Sequence, residues 1–173
     1  MRMRTSSPRA RHRGGTLLVT LVLTLAFLAA ACGPAEAPPP PGAPTAPPDA
    51  VTATIHQRTN ADRGARGLGA LAWNPRLAHL AGEWATYLAG ARQFRHRDLR
   101  AALDSPGFES YAALGENILV APRGTNGDQM HNAWMASPSH AANIFGSYDS
   151  MGVGVASGGD GNVRAVVNFG RHF

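Results

Sequence analysis

The strongest periodic signal in the chain is the run "RLAHLAGEWATYLAGA", residues 76 to 91. Leu77, Leu80, Ala81, Trp84, Leu88 and Ala91 recur at spacings of three and four, which gathers them on one face of a helix. Asn74 offers a side chain to cap that helix, and Pro75 a first residue whose fixed φ suits its start. His79 and Glu83, four apart on the opposite face, read as a solvated ion pair rather than a metal site. An earlier helix is expected through "VTATIHQRTNADR", capped by Asp49.

Beyond residue 96 the pattern changes. Residues 97 to 114 are a polar connection with room for a short helix before "SPG". "GENILVA" turns apolar and reads as a strand starting at Gly115. A third helix follows "GTNGD" and runs through Met130, Ala133 and Trp134. It should stop near Ser137, because the residue before Pro138 is biased away from the helical region. Ser137 then caps a second short helix, with Pro138 first, His140 third and Gly146 as its end. The last stretch, "SMGVGVASGGDGNVRAVVNFGRHF", is a hairpin pattern: two β-rich runs around "SGGDGN". Glycines in "GVGV" imply a twisted strand or a neighbour packed close above it. Helices first and a hairpin last point to an α+β layered domain with an antiparallel sheet.

The beginning of the chain obeys different rules. An arginine-rich start leads into "TLLVTLVLTLAFLAAA", residues 16 to 31. This is shorter than the ~20 apolar residues of a membrane span and ends in small residues, as a signal peptide does. Cys32 follows, the only cysteine in the sequence. "LAAAC" resembles a bacterial lipobox, with Ala29 where leucine is most usual. That resemblance implies a lipidated Cys32 as first mature residue and an anchor in the bacterial membrane; the alternative is plain secretion with a free thiol. Residues 34 to 50, "PAEAPPPPGAPTAPPDA", are a low-complexity tether, extended by its prolines. The expected division is therefore 1–31 signal peptide, 32–50 lipidated cysteine plus tether, and 51–173 folded domain.

Charge narrows the function classes once it is located. The net charge of +5 contains no lysine, and five of the 16 arginines precede residue 32. All 11 acidic residues follow it, with the other 11 arginines, so the remainder is formally neutral. No basic field argues for nucleic acid as a partner. Nor does the chain carry a G-x-S-x-G elbow, an H-E-x-x-H pair, a phosphate-binding glycine loop or a dinucleotide fingerprint. Three residues remain as candidates for chemistry. His140 near a helix N-terminus is disfavoured as imidazolium, and a neutral ring can coordinate a cation. Glu116 opens an apolar strand, where a carboxylate needs a partner. His96 lies just beyond the long helix, in "QFRHRDL". No spacing rule joins the three.

Taken in order, these segments resemble the CAP superfamily of cysteine-rich secretory, antigen 5 and pathogenesis-related-one proteins, in its small bacterial form. "NADRGARGLGALAWN" is similar to the family's opening helix and turn, "FRHRD" to its first histidine segment, and "GENI" to a hallmark motif. "AWMASPSHAANIF" resembles the bacterial form of a second hallmark, and "MGVGVA" with "VVNFGRHF" the closing hairpin. The resemblance implies a three-layer α-β-α sandwich around a central antiparallel sheet. It also implies a cleft of two histidines and two glutamates that in some members holds zinc or another divalent cation. His96, Glu116 and His140 match three of those places, while Ser137 stands where the second glutamate would be. Asn117, Asn143 and Trp134 are implied as supports. For function, the resemblance implies an extracytoplasmic binding module of the cell envelope, membrane-anchored or secreted, taking a lipid or wall-derived ligand. The alternatives are a metal-assisted protease or esterase working through His96, Glu116 and His140, and a scaffold with a vestigial cleft. Without a nucleophile signature, binding is favoured over catalysis.

Overall fold

The computed structural model describes residues 46–173; the leader, Cys32 and most of the tether lie outside the described residues. Five helices and four strands follow in the order α1 (Ala50–Gly64), β1 (Ala72–Trp73), α2 (Pro75–Ala91), α3 (Leu99–Leu103), β2 (Tyr111–Pro122), α4 (Gly127–Met135), α5 (Pro138–Ile144), β3 (Ser150–Ser157) and β4 (Asn162–His172). The sheet order is β1-β3-β4-β2. Its three long strands are antiparallel, and the two-residue β1 adds a parallel pair at the β3 edge, a detail the sequence pattern does not contain. Helix α2 covers one face, joined by α3 at its β2 end, while α1, α4 and α5 lie on the other. The α+β sandwich expected from the sequence is the fold observed.

Local chemistry accounts for most of the boundaries. Asp49 caps α1 through Val51 and Thr52, and Asn74 caps α2 through Arg76 and Leu77. A reciprocal pair between Asn126 and Gln129 opens α4. Ser137 is the exception. It stands at the N-cap of α5 in extended backbone, but its side chain makes no capping bond; its hydroxyl faces that of Ser139 at 3.3 Å. Strand β2 also begins four residues before Gly115, because Tyr111 pairs with His172 across a bulge and Ala113 with Arg171. That stretch, Tyr-Ala-Ala-Leu, is apolar but has no polar alternation to mark it as a strand, so hydrophobic pattern alone does not reveal it.

The alternation along β4 sorts the core. Val163, Ala165, Val167 and Phe169 join Ile55, Met130, Trp134 and Ile144 on the α1/α4 side, whereas Val166 faces Ala81, Trp84 and Leu88 of α2. On the α2 side β3 presents Gly152 and Gly154. A Cβ on Gly154 would collide with the backbone of Ala81 and Gly82, and one on Gly152 with that of Leu77 and Ala78. The helix therefore rests on bare strand backbone, which explains the "GVGV" run.

Helix α1 holds its place by polar means. Its buried stripe is Thr52, Ile55, Thr59 and Arg63, only one of them apolar. The Arg63 guanidinium donates to the carbonyls of Gly69 (2.8 Å), Ile144 (2.9 Å), Gly146 (2.9 Å) and Tyr148 (3.3 Å). It thereby fastens α1 to the turns after α1 and α5, and burial lowers its pKa from the usual arginine value. Buried His131 of α4 adds a second tie, bonding Asp62 at 2.7 Å and meeting the Thr59 hydroxyl at 3.4 Å. This hydroxyl–imidazole–carboxylate line superficially looks catalytic, but Thr59 and His131 are both fully buried.

Two substitutions test these constraints by urea unfolding. Gly154→Ala should cost about 3 kcal/mol, since the methyl meets backbone that cannot step aside. Gly159→Ala, where the added Cβ has nothing within 4 Å, is the control and should change little. Arg63→Met keeps the stem but strands four carbonyls, so a loss of about 3 kcal/mol is expected.

Candidate functional site

The site grows out of a problem at the edge of the sheet. Strand β2 pairs with β4 on one side only, so every second residue turns its backbone N–H and C=O outward. Glu116 and Ile118 are two of these, and both are buried. Their carbonyls are met by side chains from the opposite layer. Asn143 of α5 donates to Glu116 O at 3.0 Å, and the Trp134 indole of α4 to Ile118 O at 3.1 Å. Between them Asn117 points to the α5 side, donating to His140 O at 3.0 Å and accepting from Asn143 at 2.9 Å. The "GENI" segment and the "AWMASPSHAANIF" segment are thus bonded to each other, atom by atom, along one strand edge.

The Glu116 side chain points the other way, toward the α2 layer, and is wholly removed from solvent. One carboxylate oxygen accepts from His96 Nδ1 at 2.8 Å and from the Arg97 backbone N–H at 3.1 Å. His96 reaches it because α2 ends abruptly. Arg92 takes a left-handed conformation (φ 52°), Gln93 N–H returns to Leu88 O, and the Trp84 indole holds Arg95 O at 3.1 Å. The turn after α2 is pinned from below, and His96 emerges with 56% of its side chain exposed. A buried carboxylate fixing one nitrogen of an exposed imidazole leaves the other, Nε2, free to meet a ligand.

Asn168 of β4 lies directly across from Glu116. Because Glu116 directs its carbonyl outward, the two form a non-hydrogen-bonded pair, whose side chains sit close together on one face. Asn168 is completely buried, and its amide oxygen and nitrogen have no partner among the described residues. The second oxygen of Glu116 is in the same condition. Unpaired polar atoms so placed are costly, and here they cluster directly behind His96.

His140 enters from α5 and is partly exposed. Its pKa is lowered from the usual histidine value, first by burial and then by the charge of His96, so the two imidazoles sense one another. The neutral ring expected at this helix start is therefore favoured, with burial and a like charge as its causes. Ser137 brings no carboxylate to the cleft. Among the described residues, no three histidine, cysteine or acidic side chains gather as a cation-binding group. Glu116 is engaged by His96 Nδ1, so its carboxylate stands behind that imidazole.

Two members of this constellation lie inside matched segments, Arg97 in "FRHRD" and Asn168 in "VVNFGRHF", without being among the candidate residues. Arg97 contributes through its backbone, which no side-chain pattern reports. Asn168 did leave a signal, being the polar residue inside the apolar run "VVNFG".

The comparisons with known proteins bear on the family and the fold. The profile of the cysteine-rich secretory protein family, CAP, matches residues 56–169. An outer surface protein of Borrelia burgdorferi superimposes with a TM-score of 0.58 at 22% identity, over 69% of this chain and 90% of its own. A cysteine-rich secretory protein of Staphylococcus aureus follows at 0.56 and 25%, over 69% and 38% of the two chains. An extracellular protein of Bacillus anthracis containing an SCP domain gives 0.54 and 26%, over 68% and 39%. The chain thus spans under two fifths of the staphylococcal and Bacillus proteins. No curated protein sequence matches it. By sequence profile over most of the folded part and by fold, the chain belongs to the cysteine-rich secretory protein (CAP) family.

Proposed function

We propose that the domain is an extracytoplasmic binding module of the bacterial cell envelope. In this reading its cleft accepts a lipid or wall-derived ligand, with a divalent cation such as zinc held by His96 and His140. Glu116 then orients His96, and the bound cation supplies a positive centre for an anionic or carbonyl group of the ligand. The "LAAAC" segment supports anchoring through Cys32, and the proline-rich stretch would hold the domain up to ~50 Å from the membrane at ~3.1 Å per residue. The extracellular relatives support the same side of the membrane.

One observation carries the preference for binding. His96 is exposed and clamped by a buried carboxylate, yet no hydroxyl among the described residues hydrogen-bonds to His96 or His140. Covalent catalysis needs such a neighbour within reach of its base. The His96–Glu116 bond is also what favours the second reading, hydrolysis, because an oriented imidazole can take a proton from water.

Zinc titrated calorimetrically into wild type, His140→Ala and Glu116→Gln separates the cases. A binding isotherm weakened about tenfold or more in both variants supports the cation cleft. Equal heats in all three would remove the cation from the proposal. Cleavage of a peptide or ester that His96→Ala abolishes in a folded domain would replace binding with hydrolysis. If replacing His96, Glu116 and His140 together changes nothing, the scaffold reading stands.

A further inference from the structure

Three buried polar atoms, Glu116 Oε2, Asn168 Oδ1 and Asn168 Nδ2, have no hydrogen-bond partner among the described residues. They belong to two residues that face each other across β2 and β4. Asn168 is completely buried, and so is the Glu116 side chain. The other neighbours of Asn168 do not answer its amide. Val166 and Gly170 flank it along β4, with Leu114 and Ile118 diagonal to it on β2, and none has a polar side chain. On the β3 side it meets Gly152, against which the backbone of Leu77 and Ala78 is pressed. The Ala78 N–H is already bonded to Asn74 O at 2.9 Å. The side left to the amide is the one that holds Glu116.

Donor and acceptor character then selects what fits between the two residues. Glu116 Oε2 and Asn168 Oδ1 are acceptors, and Asn168 Nδ2 is a donor; exchanging the amide oxygen and nitrogen leaves this set unchanged. A direct bond from Nδ2 to Oε2 would still leave Oδ1 unanswered, and buried polar atoms are seldom left so. A cation would suit both oxygens but would face the amide N–H. A water molecule brings two hydrogens and a lone pair, one for each of the three atoms, and about three hydrogen bonds are what a buried water makes. We propose that one internal water is bound here, donating to Glu116 Oε2 and Asn168 Oδ1 and accepting from Asn168 Nδ2. Through it Asn168 is a positioning residue for His96.

The effect on His96 comes through rotation of the carboxylate. Both protein bonds to the Glu116 side chain, from His96 Nδ1 and from the Arg97 N–H, fall on Oε1. The last torsion of a glutamate is broad, so one anchored oxygen lets the group pivot about it. A water on the second oxygen fixes the plane, and with it the lone pair offered to His96. The imidazole then keeps its proton on Nδ1 and its own lone pair on Nε2. None of this requires a cation, so the inference stands apart from the ligand proposed for the cleft.

Nuclear magnetic resonance on the intact, isotope-labelled protein, free of added metal, tests both halves. The Asn168 side-chain amide, identified by its loss on substitution, should show a cross-relaxation peak to water with the sign of a long-lived bound molecule. The His96 nitrogens, recorded with the ring neutral, should report the Nδ1–H tautomer. Asn168→Leu keeps the bulk and removes both partners of the water, so the ratio of Nδ1–H to Nε2–H should fall about fivefold. Asn168→Ser keeps a donor and an acceptor for the water and should hold the wild-type ratio. Packing alone would make the smaller serine the worse of the two. If Asn168→Leu does not fold, the wild-type water peak and the serine ratio still decide. No water peak at the Asn168 amide, a wild-type ratio in folded Asn168→Leu, or a lowered ratio in Asn168→Ser would each overturn the proposal.

Discussion

A strand at the edge of a sheet cannot be buried unless something answers its outward-facing backbone groups. Strand β2 is such a strand, and the answer comes from Asn143 and Trp134, which bond the carbonyls of Glu116 and Ile118. Much follows from that one requirement. The side chains that cover the edge belong to α4 and α5, so the turn between those helices must pass alongside Glu116. His140 sits in that turn's helix, with its carbonyl held by Asn117. The closeness of His140 to the His96–Glu116 pair is thus a by-product of closing a sheet edge. Local spacing could never have shown it, because the residues are 20 to 44 positions apart.

The opposite face imposes a second condition. Helix α2 lies against the bare backbone of Gly152 and Gly154, nearer than any side chain would permit. That closeness lets Trp84 pack against the sheet while its indole N–H still reaches Arg95 O beyond the end of the helix. Packing of the helix and position of the histidine are therefore one problem. A helix lifted from the sheet would carry the 92–98 turn with it, and His96 would leave Glu116.

This division explains what could be read from the sequence. Helices α1, α2 and α4 were legible because capping residues and apolar spacing act within a few residues of each other. The hairpin of β3 and β4 was legible for the same reason. The first part of β2 was not, since only pairing with β4 makes it a strand. Ser137 was misleading in one respect: it occupies the cap position, yet its hydroxyl turns to Ser139. The buried stripe of α1 was invisible to any hydrophobic pattern, because Arg63, Thr52 and Thr59 are buried by virtue of distant carbonyls and a histidine. His96, Glu116 and His140 were candidates one by one from their local settings, but their meeting in one cleft came from resemblance to a family, and no spacing rule offered a route to it. Their surroundings, the unpaired Asn168 amide and the Arg97 backbone above all, belong to the folded chain alone.

Arg97 is a junction rather than two separate contacts. Its backbone N–H holds the carboxylate that orients His96, while its side chain forms part of the wall of a cavity between α2 and α3. The two contacts share one Cα, in a turn already fixed by the Arg92 conformation and the Trp84 indole. A turn so constrained cannot shift its side chain far without also moving the peptide that bonds Glu116. The buried carboxylate ties cleft and cavity together. It does so through the residue next to His96 in the "FRHRD" segment.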